Sequence, residues 1–419
     1  MDSLTRRKFL RASGVFGGAA LAVGAGGLGL AELLATADQS AERDDGTTDP
    51  LVVVTLYGGN DGLNTVVPYQ DPAYHASRPE LAYPAEAVLP LDSSLGLNPA
   101  MKGLKRVWDD KRMAVLLGVG YPRPDRSHFR SMDIWQTASP EVPIRTGWVG
   151  RWLDGTRATP ETAVSFESVV PPLLAGETRA GASVTVDSLR LPPGVTSEVI
   201  SALGKPQRGE AELQARAATA MHDFLQVDRL VREAQEAQSP PEVEQLTYVP
   251  ATGTGGDNSL AAQLMLVNRC VEAGVPTRVY SVSLGGFDTH AVERAAQERL
   301  LTQLDQALTG FLDRLARTAR GRRVSVVVYS EFGRRVRANA SEGTDHGTAG
   351  PVLVLGSRVA GGFYGEQPSL TDLDNGDLKA SMDFRDVIGT LLASVLQADP
   401  TRYIPGYQPK LLPLFAAGR

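Results

Sequence analysis

Five stretches of the chain are nearly unbroken apolar runs: LVVVTLY at 51–57, MAVLLGV at 113–119, TRVYSVSL at 277–284, VSVVVY at 324–329 and PVLVL at 351–355. They are short, rich in β-branched residues, and bounded by glycines or polar loops. That pattern predicts strands buried on both faces, as in parallel sheets. Apolar residues recur at helical spacing at 100–110, 259–273, 292–318 and 384–396, and after Ser127 and His128. Gly274 and Pro276 end the helix at 259–273. Residues 162–186 read as short strands with turns. Residues 66–98 are Pro- and Tyr-rich and read as an irregular excursion. A charged helical pattern over 205–246 is broken at Ser239-Pro240-Pro241. Strands alternate with helices through most of the second half, so the expected class is α/β with a largely parallel sheet.

Polar chemistry collects where these strands end. In such sheets, ligands sit beyond the carboxyl ends of the strands. The first run leads into Gly58-Gly59-Asn60-Asp61, the second into a loop ending at Ser127-His128, and the third into GGFDTH with Asp288 and His290. The fourth leads into Ser330-Glu331-Phe332-Gly333-Arg334 and a polar loop closing on Asp345-His346. Of the five histidines, His128, His290 and His346 fall at these ends, each within two residues of an Asp or Ser. His75 and His222 read as surface residues. Imidazole with carboxylate is ligand chemistry for zinc, manganese and iron, while oxygen-rich sites take magnesium, calcium or manganese. The expected metal ligands are Asp61, Asp288, His290, Glu331 and His346, holding one or two divalent ions. With two ions, Ser127 is the candidate nucleophile of an in-line displacement. With one, an activated water is simpler, positioned by Ser127 and His128. Ser127 equally suits a helix cap, and the carboxylates equally suit hydrogen bonds to glycine-rich turns. Asn60, Arg334 and Asp345 are the expected substrate contacts; Arg334 also fits an exposed ion pair.

The amino terminus changes the picture of where this chemistry operates. TRRKFL at 5–10, a Gly/Ala/Leu-rich run and Ala35-Thr36-Ala37 form a twin-arginine export signal with a cleavage site. The expected organisation is a signal over 1–37, an exposed linker over 38–49 and one domain over 50–419, exported to the periplasm or beyond by the twin-arginine machinery. The alternative, a membrane anchor, fits less well because the run is glycine-rich and weakly hydrophobic. Cys270 is the one cysteine, so no internal disulfide forms, and its apolar helical setting marks it as core. The chain is 42% hydrophobic and 21% charged, ordinary for a globular protein. Residues 1–37 carry four basic and two acidic residues, leaving 38 basic and 46 acidic in the remainder. No basic patch interleaved with aromatics appears, which argues against a nucleic-acid partner.

The segments GGNDGLNTVVPY (58–69), RSHF with IWQT (126–137), GGFDTH (285–290), SEFGR (330–334) and GTDHG (343–347), with the leader, resemble the bacterial domain-of-unknown-function family 1501. The resemblance spans nearly the whole chain after the leader. More remotely, the order of strand ends is similar to the alkaline phosphatase and sulfatase superfamily. That similarity implies an alkaline-phosphatase-like three-layer sandwich. It implies a metal-binding Asp after the first strand (Asp61), a nucleophile at a helix start (Ser127), an Asp and a His after a later strand (Asp288, His290), and a last His before an apolar strand (His346). Where that superfamily has Asp-His, this chain has Glu331-Phe332, and Phe332 cannot bind metal. Two functions follow: an exported metal-dependent hydrolase of a small phosphate or sulfate ester, or an exported binding protein that keeps the fold without a complete metal site. A hydrolase using Asp/Glu pairs without metal ranks below both.

Overall fold

The computed structural model describes residues 33, 49–167, 170–184 and 259–415. The export signal apart from Leu33, most of the linker and the pattern over 205–246 lie outside the described residues. In chain order the strands are β1 Leu51–Leu56, β2 Val66–Val67, β3 Leu89–Pro90, β4 Gly96–Leu97, β5 Met113–Gly120, β6 Ala163–Ser165, β7 Ala182–Ser183, β8 Val279–Leu284, β9 Ser325–Ser330, β10 Arg334–Ala338, β11 Thr344–His346, β12 Gly350–Leu355, β13 Gly362–Tyr364 and β14 Met382–Asp383. The helices are α1 Pro72–Ser77, α2 Lys102–Asp109, α3 His128–Thr137, α4 Trp148–Asp154, α5 Leu260–Ala273, α6 Glu293–Leu315 and α7 Phe384–Ser394.

The central sheet has the order β13-β5-β12-β9-β1-β8-β6-β7, with β14 also paired to β5. β1 lies between β8 and β9, parallel to both. β12 runs antiparallel to its neighbours β5 and β9, and the remaining pairings in this sheet are parallel. Strand alternation explains why two helical layers are needed. Val52, Val54 and Leu56 of β1 pack with Leu104 of α2, Val267 of α5 and Leu304 of α6. Leu51 and Val53 point the other way, into a core with Trp135 of α3, Trp152 of α4 and Ile388 of α7. The result is a helix–sheet–helix sandwich. Cys270 lies inside the first core, and burial pushes its thiol up to about 12, so it is inert at neutral pH.

Two segments are more ordered than expected. The stretch 66–98 contains α1 and a three-stranded sheet, β2-β4-β3. Its Tyr74 and Tyr83 join Leu63 and Val336 in a small core of their own. The polar loop expected after Arg334 is the antiparallel hairpin β10–β11. Arg334 and Val336 of β10 are buried, Arg335 is partly exposed and Arg337 exposed. One of the inward positions is an arginine, which hides the alternation in the sequence. No helix among the described residues is long and apolar enough to cross a membrane.

Candidate metal centre

Asp288 lies at the hub of the carboxyl edge. It follows β8 in a turn whose backbone lies against that of Gly58. A Cβ on Gly58 would stand 2.5 Å from the Asp288 nitrogen, and Gly58 has φ +113°. Glycine is therefore required for the two strand ends to approach. Asp288 Oδ1 lies 3.0 Å from His290 Nε2, 3.1 Å from His346 Nε2 and 3.3 Å from His128 Nε2. The Arg334 guanidinium donates to the same oxygen at 2.8 Å. Burial opposes ionisation of Asp288, but hydrogen bonds from His128, His346 and Arg334 outweigh it and hold this carboxyl far below the usual range.

The outer ring nitrogens define the inner ones. His346 Nδ1 lies 2.8 Å from the carbonyl of Arg126, which can only accept, so Nδ1 carries the proton. His128 Nδ1 donates at 2.8 Å to Glu331 Oε1. The same carboxylate accepts from the Gly58 N–H at 2.9 Å and from the Ser330 hydroxyl at 2.9 Å. An accepting carboxylate behind a ligating histidine fixes its tautomer and ring orientation. These two rings thus direct Nε2 at Asp288. The His128 Nε2 contact with Asp288, at 3.3 Å, is the longest of the three, and His290 Nε2 lies 2.9 Å from His346 Nε2. The Phe332 ring closes one side, 4.9 Å from the His128 ring and 5.0 Å from that of His346. His290 and Asp345 are at the open side, 3.6 Å apart. Beyond the Arg126 carbonyl, residues including Tyr121, Pro124, Thr348, Asp377 and Ser381 line a groove of about 470 Å³.

The donor set fits a cation. A tetrahedral shell with metal–nitrogen bonds of ~2.1 Å has edges of about 3.4 Å, and the contacts around Asp288 Oδ1 are only slightly shorter. Among the described residues, one group of three His, Cys, Asp or Glu donors is clustered closely enough to share an ion: His128, Asp288 and His346, all within 4.8 Å of one another.

The other expected site residues lie elsewhere. Asp61 is fully buried and bonded to Arg78 at 2.5 Å. Asn60 is buried, its side-chain oxygen accepting from Thr65 and Gln297. Arg334 is neither exposed nor open to a substrate: its donors go to the carbonyls of Gly58, Gly59, Phe287 and Thr344 as well as to Asp288. Glu331 reaches the centre through His128. Ser127 is exposed at the start of α3 and its hydroxyl makes no capping bond. Residues missed in the sequence are Arg78 and Glu293. Glu293 had a legible signal: with Gln297, Leu300 and Leu304 it marks the buried stripe of α6 at helical spacing.

A family model described as "Protein of unknown function (DUF1501)" matches residues 118–415. The chain belongs to that family. Several solved structures are similar to the chain. One is a protein in the alkaline phosphatase superfamily from Vibrio parahaemolyticus, 9% identical with TM-score 0.39, covering 87% of this chain and 74% of that one. Another is the C-terminal periplasmic domain of EcEptC from Escherichia coli in complex with Zn, 11% identical with TM-score 0.36, covering 75% of each. A third is the phosphonate monoester hydrolase SpPMH from Silicibacter pomeroyi, 9% identical with TM-score 0.36, covering 83% and 73%. No curated protein matches the sequence.

Proposed function

We propose that this DUF1501 protein is an exported, metal-dependent hydrolase of a small phosphate or sulfate ester. One observation carries the reading: the Nε2 atoms of His128, His290 and His346 converge on one oxygen of Asp288, while acceptors occupy Nδ1 of His128 and His346. His290 Nε2 and His346 Nε2 lie 2.9 Å apart, close enough to share one proton or one cation. His128, Asp288, His290 and His346 would hold a divalent ion, and three imidazoles with one carboxylate favour zinc or manganese over magnesium or calcium. When bound, the ion supplies Lewis-acid stabilisation of charge on the ester oxygens. Ser127, exposed and beside His128, offers the attacking hydroxyl. Glu331 holds the His128 ring in place, and the groove past Arg126 receives the leaving group. Export rests on the twin-arginine pattern at 5–10.

The test is elemental analysis of the purified protein combined with turnover of 4-nitrophenyl phosphate and 4-nitrophenyl sulfate. Bound metal, turnover of one ester and loss of both in His346→Ala are expected. A metal-free protein whose stability is unaffected by chelator contradicts the reading. A metal-loaded protein that turns over neither ester favours the second reading, an exported binding protein, to which the Phe332 wall beside the ligands also points.

A further inference from the structure

We infer that the centre takes a single cation, and that the buried guanidinium groups of Arg78 and Arg334 neutralise the carboxylates a second ion would need. The inference rests on the metal-centre reading above and concerns residues that reading does not use. Asp61, at the end of β1, is the first of these. Its Oδ2 accepts from Arg78 Nη1 at 2.5 Å and its Oδ1 from the Leu63 N–H at 3.2 Å, and both members of the ion pair are wholly buried. Arg78 is also pinned by the carbonyls of Val336 and Arg335 at 2.8 and 2.7 Å, so it is tied to β10 as well as to Asp61. A planar fork bonded on three sides cannot swing away to admit an ion.

The second carboxylate is Glu293, at the start of α6. It lies close enough to Asp61 for the two carboxyls to influence each other, and its Oε2 accepts from the Thr344 hydroxyl at 2.6 Å. Burial and the neighbouring Asp61 push Glu293 up to about 9, so Asp61, Glu293 and Arg78 together carry no net charge at pH 7. The third is Glu331, whose oxygens are taken by Gly58, Ser330 and His128. Among the described residues no second cluster of donors is close enough to share an ion.

Charge leads to the same count. Asp288, Glu331, Asp345 at the open side and Arg334 sum to two negative charges when the three imidazoles are neutral. One divalent ion brings the centre to neutrality. A second would bring it to two positive charges, in a partly buried site whose buried carboxylates are already matched. Arg334 therefore acts as a fixed positive charge on the inner side of Asp288, and Arg78 does the same for Asp61.

The experiment is metal stoichiometry by mass spectrometry on the full protein, loaded with excess zinc or manganese and desalted. One ion per chain is expected. Two per chain overturns the inference while leaving the metal-centre reading intact, and none overturns both. Asp61→Asn supplies the second measurement. It is expected to lower the melting temperature, because Arg78 loses its partner, and to keep one ion per chain with affinity within about threefold of the parent. Loss of the ion from a folded Asp61→Asn protein makes Asp61 a ligand and overturns the inference. The wild-type count decides the matter if that variant does not fold.

Discussion

Replacing Glu331 by glutamine removes one charge while leaving almost every contact in place. With the amide oxygen at the position of Oε1, it still accepts from Gly58 N and His128 Nδ1, now at 2.9 and 2.8 Å. The amide nitrogen then faces the Ser330 hydroxyl, now 2.9 Å away. That hydroxyl can turn its proton to the Leu56 carbonyl at 2.8 Å and accept from the amide instead. No buried group loses its partner, so the fold should be kept, with a small change in melting temperature. What is lost is the carboxylate behind an imidazole proposed to bind the ion. Removing such a partner costs about 10–100-fold in metal affinity, or about 1.4–2.8 kcal/mol. Calorimetric titration of apo-protein with zinc, alongside circular dichroism, measures both quantities. An affinity within threefold of the parent, with the fold intact, would refute the role given to Glu331 and with it the role of His128.

Other outcomes follow from the same geometry. Phe332→Ala removes the buried ring between His128 and His346; it should destabilise the protein by about 3–5 kcal/mol in urea and weaken metal binding. Gly59→Ala should act on the same ring, because its Cβ would lie 2.2 Å from the Phe332 edge at φ +68°, and the measurement is again a denaturation midpoint. Burial alone would lower the His128 pKa, but Asp288 and Glu331 outweigh it and raise the metal-free value to about 9. A raised histidine stabilises the apo-protein fully below about pH 6.5 and loses that contribution as pH rises through 9. Because a ligand must be neutral, metal affinity should climb about tenfold per pH unit across that window, with one proton released on binding, seen by titration in buffers of different ionisation heat. Glu167 is buried with Oε1 unpartnered, and burial pushes it up to about 8. A carboxyl raised in the fold binds its proton more tightly there than when unfolded, so stability should fall as pH rises from about 4.5 to 8. Glu167→Gln should flatten that slope in urea melts taken at pH 5 and pH 8, and an unchanged slope would show that Glu167 does not cause it.

The five long strands were legible because a strand buried on both faces needs an apolar residue at nearly every position, as β1 and β9 have. Their directions were not legible in the same way: nothing in PVLVL shows that β12 runs against its neighbours. Asp288 and His290 could be singled out because they follow a strand directly, and His346 because it closes a polar loop before one; the structure brings them together with His128. Asp61 satisfies the same rule, yet its charge is met by Arg78, a residue in a Tyr- and Pro-rich stretch with no periodicity to mark it. An ion pair formed by folding that stretch back onto β10 leaves no local signal. Arg334 was visible as a cation near Glu331. Its burial depends on four carbonyls from three separate segments, which only the assembled sheet brings into reach.

The convergence of three imidazoles on Asp288 is the central claim, and diffraction at a metal absorption edge tests it most directly. Crystals of the full protein grown with zinc or manganese should show one anomalous peak within about 2.0–2.2 Å of the Nε2 atoms and of an Asp288 oxygen. A peak elsewhere, or none in protein that elemental analysis shows to be loaded, would contradict the account.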